Sequence, residues 1–367
     1  MLKKLFFCCA LFIALFSFCL SISALDVSAK SAVIIESQSG DVIFSKNENI
    51  RLPMASTTKI MTAIIAIENA PMNEVVTISA EAVGVEGSSI YLKEGEKLTV
   101  KELLSALLLE SANDAATALA CHISGNVHDF AVLMNKKATD LGLTSTSFSN
   151  PHGLDDDSHY TTAYELAKIA QYAMKNNIFR EIVASFKETI PSYDGGTRFL
   201  VNHNKLLKGY DGTIGIKTGF TKKSGRCLVS CAERNGVELI AVTLNAPNDW
   251  RDHKSMLDYG FSKYESVNLA DAGDYKLALD CINGRKATAL CTNFSSLSVT
   301  LKIGEKDNLR AVYEGERFIF APIKQGEKVG EIAFYLEDDK IAALEIYALE
   351  SIKSIKYKKS IIERIFG

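Results

Sequence analysis

Alternation of apolar and polar residues predicts strands at both ends of the first two thirds of the chain. Ser31–Ser45 predicts a β-hairpin, because two apolar runs flank a turn-forming cluster of Gln, Ser, Gly and Asp. Later strands are predicted at Ile214–Gly219, Cys227–Ser230 and Val237–Leu244, the last after a tight Arg-Asn-Gly turn. Early and late strands of one domain indicate an antiparallel sheet that uses both ends of that domain.

Between these strands the apolar residues recur at helical spacing. Helices are predicted at Ser56–Ile67, at Val100–Ile123 and at Thr161–Met174, and a last helix covers Trp250–Tyr264. The second stretch is interrupted near residues 111–114, so that a further helix begins at Ala115. The pattern predicts an α+β fold over residues 25–264, with an antiparallel sheet covered by an inserted helical region.

From about Val267 the pattern changes to short alternating runs separated by turns such as Asn283-Gly284. This pattern is typical of a small all-β domain, which we place at residues 265–349. No chemically suggestive cluster lies in it.

The last residues predict a basic amphipathic helix over residues 350–367. Ile355, Ile362 and Phe366 follow Ile352 at helical spacing, and from Ile352 onward lysine and arginine outnumber the single glutamate, Glu363. Such a helix at a chain end fits a membrane-surface anchor. The alternative is a terminal helix that packs on the β domain.

The first residues predict a signal peptide, residues 1–24. Two lysines precede an almost wholly apolar run from Leu5 to Leu20, and small residues follow it. An uncleaved membrane anchor is the alternative, since the run approaches the roughly 20 residues that a bilayer requires. Both alternatives predict an exported chain.

Composition narrows the function classes. The chain has 367 residues, enough for two domains, and a formal net charge of −3, which argues against nucleic-acid binding by bulk electrostatics. Five cysteines follow the signal without regular spacing, so we expect buried thiols rather than a disulfide framework. No metal-binding pattern appears, and we expect neither metal nor cofactor.

Three short motifs carry the candidate chemistry. Ser56 and Lys59 lie one helical turn apart, so the amine can activate the serine hydroxyl if burial or a nearby cation lowers its pKa. Lys217 is the expected second cation. Ser111 could relay a proton, and the side-chain amide of Asn113 could orient both the lysine and a substrate amide carbonyl. The alternative is that these residues only cap a helix.

The third motif, Lys217-Thr218-Gly219, suits a substrate carboxylate. Its amine and hydroxyl can bind the anion, and the glycine lets a ligand backbone lie close. The backbone N–H groups of Ser56 and Phe220 could form an oxyanion hole. Together the three motifs match the signature of penicillin-binding proteins and class A β-lactamases.

The chain resembles the low-molecular-mass penicillin-binding proteins that are serine-type D-alanyl-D-alanine carboxypeptidases, peptidase family S11. The resemblance covers roughly residues 28–262. Beyond the three motifs it includes the nucleophile segment Leu52–Ala63 and the pair Asp211-Gly212 before Lys217. It also includes Asn150–Leu154, which His159 and Thr161-Thr162-Ala163 follow. The resemblance implies a β-lactamase/transpeptidase-like domain, an antiparallel sheet with helices on both faces and an inserted helical region. The family's β-rich second domain and amphipathic anchor match the remainder. Many members have histidine where this chain has Phe220, so a side-chain role there is not carried over. The approach from Asp211 to Lys217 is also longer than the family pattern.

Carried over by residue, the resemblance implies that Ser56 is the acyl-forming nucleophile and Lys59 the general base. Ser111 is then the proton relay and Asn113 the orienting amide. Lys217, Thr218 and Gly219 bind the substrate, and Lys217 and Thr218 bind its terminal D-Ala carboxylate. The implied substrate is a peptidoglycan stem peptide ending in D-Ala-D-Ala, with β-lactams as inhibitors, at the outer face of the cytoplasmic membrane.

Other readings of the same residues remain. His152 and His159 suggest a Ser-His-Asp triad with Asp155–Asp157, but a lysine mechanism makes both histidines structural. A class A β-lactamase needs a glutamate for deacylation, and Glu165 lacks the expected sequence context. An endopeptidase acting on peptide cross-links and a penicillin sensor that does not turn over remain open.

Overall fold

The computed structural model describes residues 25–356. These residues divide into two compact units, one holding most of the chain up to Tyr259 and the other holding residues 260–356 with the short pieces Ile35–Ile43 and Cys231–Ile240. The predicted signal peptide and residues 357–367 of the predicted C-terminal helix lie outside the described residues. Within the described part, no helix is long and apolar enough to cross a membrane.

A five-stranded sheet joins the early and late strands as the sequence predicts. Its order is β2-β1-β9-β8-β7, so the N-terminal hairpin pairs beside the last strand. The strands are β1 Ser31–Glu36, β2 Val42–Lys46, β7 Thr213–Thr221, β8 Gly225–Arg234 and β9 Val237–Leu244. Two small ribbons form from β3 Val75–Thr77 with β4 Lys97–Thr99, and from β5 Lys187–Pro191 with β6 Thr197–Val201.

Eight helices lie within the described residues. They are α1 Lys59–Asn69, α2 Val100–Leu109, α3 Asn113–Ser124, α4 Val127–Asp140, α5 Ala163–Met174, α6 Asn177–Ala184, α7 Leu206–Gly209 and α8 Asp249–Phe261. A 3-10 turn, Ala55–Thr58, leads into α1. Helix α1 packs against α2 to α6, and its residues from Lys59 to Ala66 are all buried. Burial on every side explains why α1 is apolar nearly all round.

The break between α2 and α3 places the second motif. Thr99 and Glu102 form a capping box that starts α2, and Ser111, at φ 60°, lies in the left-handed region that ends the helical path. Helix α3 begins at Asn113, two residues earlier than predicted. Its N-cap residue is Ala112, so neither Asn113 nor Asp114 occupies the N-cap position.

The second unit contains the predicted all-β domain. Its strands are β10 Tyr264–Ala270, β11 Lys276–Ile282, β12 Thr288–Thr292, β13 Leu297–Lys302, β14 Leu309–Gly315, β15 Phe318–Phe320, β16 Lys328–Leu336 and β17 Asp339–Ala348. Six of them form a sheet in the order β14-β16-β17-β12-β11-β15, and β10 pairs with β13. A core that includes Leu279, Ile332, Phe334 and Ile346 lies on one face of the larger sheet.

Two sequence predictions need correction at element ends. Helix α8 stops at Phe261, and Tyr264 already belongs to β10. The C-terminal helix predicted from residue 350 is wrong for residues 351–356, which are not helical and form isolated β-bridges at Ile352 and Ser354. Ile352 bridges to Ile323 and is buried in the β-domain core, so its apolar side chain contributes to that core rather than to a helix face.

Candidate active site

Ser56 and Lys59 are brought together by the turn that starts α1. The Lys59 side-chain nitrogen Nζ lies 2.9 Å from Ser56 Oγ, and Lys59 is fully buried while Ser56 is partly exposed. Because Ser56 lies in the 3-10 turn and Lys59 is the first residue of α1, the three-residue spacing places both side chains on one side of the turn. The first motif therefore forms a contact pair at the surface of a cavity.

Lys59 has two further partners. Its Nζ lies 2.7 Å from Asn113 Oδ1 and 2.6 Å from the backbone oxygen of His152. Burial lowers the pKa of Lys59 well below its usual value, and the charge of Lys217 lowers it further, while Asp114 acts in the opposite direction. Of the two causes that the sequence suggests for the lowered pKa of Lys59, burial is the larger and the charge of Lys217 the smaller.

Lys217 is itself buried on β7. Its Nζ donates to the Thr218 backbone oxygen at 2.9 Å, and burial lowers its pKa to about 7. An amine with that pKa is partly protonated and partly neutral near pH 7. The site therefore contains two buried lysines, of which Lys59 contacts the serine hydroxyl.

Asn113 is held by the loop that precedes β4. Its amide nitrogen Nδ2 donates to the Glu86 oxygen at 2.5 Å, and its backbone N–H donates to the Ser88 oxygen at 2.7 Å. Asp114 fixes the same loop, because its carboxylate accepts hydrogen bonds from Ser89 Oγ and from the backbone of Ile90 and Leu92. Asn113 keeps its second amide hydrogen for another acceptor.

Two glycines let backbone segments approach the nucleophile. A β-carbon on Gly219 would lie 3.0 Å from Ser56 N, so β7 packs its backbone directly against the turn that carries Ser56. A β-carbon on Gly153, at φ +89°, would lie 2.0 Å from the Ala55 oxygen. Both positions admit only glycine without displacement of the Ser56 backbone.

A cavity of about 350 Å³ opens onto the nucleophile. Ser111, Thr218, Gly219 and Phe220 line it together with Ser56, so members of all three motifs meet at this cavity. Lys59 and Asn113 lie behind Ser56, in contact through hydrogen bonds. Six further residues line the cavity and belong to none of the three motifs: Ser88, His203, Lys205, Arg226, Asp249 and Trp250.

Arg226 and Asp249 form one wall of the cavity. The guanidinium donates to the carboxylate through two nitrogens, each at 2.9 Å, and lies 5.7 Å from the Trp250 ring centre. The pair joins the start of β8 to the start of α8. No local sequence signal marks it, because the partners are 23 positions apart and follow no motif.

The two histidines form hydrogen bonds that stabilise the surrounding loops. His159 Nδ1 accepts from Ser149 N at 3.0 Å, which leaves Nε2 as the donor to Thr58 Oγ1 at 2.7 Å. His152 Nδ1 accepts from Leu154 N at 3.3 Å. Of the aspartates of the alternative triad, Asp155 accepts from Thr221, Asp156 accepts from Ser158 and Asp157 pairs with Lys223. A Ser-His-Asp triad is not assembled from these residues.

Comparison with known proteins assigns the chain to a family. A model of the D-alanyl-D-alanine carboxypeptidase family, peptidase S11, matches residues 19–248, and a model of the penicillin-binding protein 5 C-terminal domain matches residues 264–354. D-alanyl-D-alanine carboxypeptidase DacF of Bacillus subtilis (strain 168) is 34% identical over 340 residues, which are 90% of this chain and 87% of DacF.

Solved structures agree with this assignment. Penicillin-binding protein 5 from Haemophilus influenzae is 26% identical with a TM-score of 0.67, covering 91% of this chain and 100% of that one. The peptidoglycan synthesis regulatory factor PBP3 from Streptococcus pneumoniae is 25% identical with a TM-score of 0.75, covering 89% and 100%. The resemblance inferred from the motifs is confirmed, as is the fold class of a transpeptidase-like domain followed by an all-β domain. The chain belongs to the D-alanyl-D-alanine carboxypeptidase family, peptidase S11, and is an enzyme of that family.

Proposed function

We propose that the chain removes the terminal D-alanine from peptidoglycan stem peptides through an acyl-enzyme on Ser56. The contact between Lys59 Nζ and Ser56 Oγ at 2.9 Å, beside a 350 Å³ cavity, is the observation that carries this proposal. Ser56 Oγ attacks the carbonyl carbon of the penultimate D-Ala, and its proton passes to Lys59. The C–N bond then breaks, and the amine of the terminal D-Ala leaves with a proton delivered through Ser111.

The partners of Lys59 favour a role as base. A neutral lysine amine has two N–H hydrogens and one lone pair, and two strong acceptors, Asn113 Oδ1 and the His152 oxygen, lie 2.7 and 2.6 Å away. When both hydrogens point to these acceptors, the lone pair is directed at the Ser56 hydroxyl. The lowered pKa of Lys59 favours this neutral state.

The oxyanion of the tetrahedral intermediate is assigned to the backbone N–H groups of Ser56 and Phe220. The close packing of Gly219 against Ser56 supports this assignment, because Phe220 follows Gly219 directly on β7. Lys217 and Thr218 bind the carboxylate of the leaving D-Ala, and the free amide hydrogen of Asn113 binds the acyl-side carbonyl. A water molecule then attacks the ester, and Ser56 regains its proton.

The hydrogen bonds of Glu165 argue against a β-lactamase function. Its carboxylate already accepts hydrogen bonds from Thr144 N, Ser145 N and Thr146 Oγ1, so it is used to fix a loop. We therefore expect β-lactams to acylate Ser56 and to leave slowly.

We place the mature enzyme at the outer face of the cytoplasmic membrane. The predicted signal peptide, residues 1–24, directs export of the chain and is then cleaved. The apolar and basic residues of the 357–367 segment then hold it at the membrane surface. This location matches the site where peptidoglycan stems are exposed after export.

A combined assay tests the activity. D-Ala release from diacetyl-Lys-D-Ala-D-Ala, cleavage of a cross-linked dimer, β-lactam hydrolysis and labelling by a fluorescent penicillin are measured on the wild type, on Ser56→Ala and on Ser298→Ala. Ser298 is exposed on β13 and serves as the matched serine control. We expect Ser56→Ala to lose D-Ala release and labelling, and the control to keep both.

Each other outcome identifies a different function. Retained turnover in Ser56→Ala contradicts the nucleophile. Cleavage of the dimer alone indicates an endopeptidase, and rapid drug hydrolysis indicates a β-lactamase. Labelling without any peptide turnover indicates a sensor.

A further inference from the structure

The six-stranded sheet of the β domain has one buried face and one opposite face, which is apolar over β11, β12 and β15. Over β14, β16 and β17 the opposite face instead carries an ion-pair cluster of Glu314, Lys328, Glu331, Lys340 and Glu345. In β15, Ile319 points into the core, while Phe318 and Phe320 are exposed, Phe320 by 65%. The same alternation holds in β11, where Cys281 is buried and Ile282 exposed. Large exposed apolar patches on a soluble domain mark interaction surfaces.

Strand register places these exposed side chains on the same face. Phe320 pairs with Ile282 in the parallel β11–β15 ladder, and Leu290 of β12 pairs with Ala278 of β11. Residues paired directly across strands point to the same side of a sheet. We define the outer face as Ala278, Asp280, Ile282, Leu290, Phe318 and Phe320.

Aromatic stacking continues the outer face across β17. Phe294 stacks on Tyr347 with ring centres 5.2 Å apart and planes 1° from parallel. Leu349, which is also exposed, donates its backbone N–H to the Leu290 oxygen at 2.8 Å. The apolar area thus runs from β15 to β17, three strand spacings or about 14 Å.

Basic residues lie at the edge of the outer face where the chain leaves it. Ile355 donates its backbone N–H to the Asn283 oxygen at 2.8 Å, directly after Ile282. Arg285, Lys353 and Lys356 are exposed along the same edge, where Arg285 N donates to the Lys353 oxygen at 2.9 Å. Lys286 nearby is paired with Glu350. Asp280 lies within the outer face as defined, and Glu345, which accepts from the Tyr347 hydroxyl and pairs with Lys328, borders it at β17.

We propose that the outer face is a second membrane-contacting surface, which lies on anionic lipid beside the C-terminal segment. Apolar and aromatic side chains enter the interfacial region, and the basic edge faces the lipid phosphates. The segment that continues from this edge has the same chemistry, with Lys358, Lys359 and Arg364 among four isoleucine and phenylalanine residues. A second copy of the chain fits less well, because a two-fold contact through this face would bring two basic edges together. The inference rests on the membrane location proposed above.

Vesicle binding of the mature chain, residues 25–367, tests the proposal. Flotation with phosphatidylglycerol/phosphatidylethanolamine vesicles compares the wild type with Phe318→Ser/Phe320→Ser and with a chain that ends at residue 356. Ile303→Ser is the matched control, because Ile303 is an exposed apolar residue of the same domain that lies off the outer face. We expect the double variant to bind about tenfold more weakly, since it removes two interfacial aromatic anchors, and the control to bind like the wild type.

A direct readout separates contact from misfolding. Phe320→Trp in the full chain is expected to show a blue-shifted, vesicle-dependent emission that Ile303→Trp does not show. The proposal is overturned if the double variant binds like the wild type or if the Phe320→Trp emission is unshifted. Loss of binding on shortening the chain supports the C-terminal anchor, but it does not rescue the proposal from either of these results. Equal binding to phosphatidylcholine vesicles also overturns it. A dimer in sedimentation that the double variant dissociates makes a second copy the occupant and overturns it as well.

Discussion

Gly87 lies so close to Asn113 that a β-carbon on the glycine would sit 2.6 Å from Asn113 Nδ2. Gly87 also has φ +95°, where other residues are strained. We expect Gly87→Ala to displace the Asn113 amide from Lys59 and from the substrate, and to lower kcat/KM for D-Ala release by about a hundredfold. Steady-state kinetics on a D-Ala-D-Ala peptide measure this loss.

Gly84→Ala is the matched control for that variant. Gly84 lies in the same loop at φ +73°, but nothing lies within 4 Å of its added β-carbon. The substitution carries the backbone cost, about 1 kcal/mol of unfolding free energy, without touching Asn113. An equal loss of activity in both variants would show that loop strain, and not the position of Asn113, is responsible.

Lys217 is predicted to set the pH range of acylation through its charge. Because that charge lowers the pKa of Lys59, its removal in Lys217→Met should raise the pKa of Lys59. The rate of penicillin acylation rises as Lys59 loses its proton, so the midpoint of that rise should move to higher pH. Stopped-flow acylation across a pH series measures the midpoint independently of the lower maximal rate.

Lys217→Arg keeps the positive charge and is the control. Its acylation is expected to be slower in absolute terms because the side chain is larger, but its midpoint should stay nearer to that of the wild type. A midpoint that moves equally in both variants contradicts an electrostatic cause.

The local parts of the site were predictable, and the distant parts were not. Strand β9 has the predicted bounds, Val237–Leu244, because an apolar run after an Asn-Gly turn determines a strand locally. Ser56 and Lys59 share one turn, so their contact also follows from local geometry. Arg226 and Asp249 reach the cavity only because β8 and the start of α8 meet there, and no spacing rule expresses that meeting.

The C-terminal segment shows the same limit from the other side. Helical spacing of isoleucines predicted a helix from residue 350, but Ile352 pairs with Ile323 and enters the β-domain core. Tertiary burial of one apolar side chain outweighs the weak local preference of a few residues. Periodicity in a short terminal segment cannot reveal a docking partner 29 positions away.

Buried histidines should make the fold less stable in acid. Burial lowers the pKa of His159 to about 4, and Nδ1, the position that protonation would occupy, already accepts from Ser149 N. Since the unfolded pKa is near 6.5, the contribution of His159 is complete above that pH. As the pH falls from 6.5 to 4, the free energy of unfolding decreases by about 1.4 kcal/mol per pH unit through this histidine.

Urea unfolding at pH 7.5 and at pH 4.5 measures this loss. His159→Asn removes the titrating group and should give a smaller difference between the two unfolding free energies than the wild type. His128→Asn, on the exposed surface of α4, is expected to keep the wild-type difference. A wild-type difference in His159→Asn would contradict the assignment.

Phe220 offers a test of the oxyanion hole that separates a side chain from a backbone N–H. The Phe220 side chain is 65% exposed at the cavity, and β7 is an edge strand of its sheet. Phe220→Ala keeps the N–H and should leave the penicillin acylation rate within about threefold of the wild type, because the proposed role belongs to the backbone. Phe220→Pro removes the N–H at a position where an edge strand can accept proline, and should lower that rate by about 10²–10³-fold. Thermal unfolding of both variants checks that the strand is retained, and equal acylation by the two folded variants would exclude the Phe220 amide from the oxyanion hole.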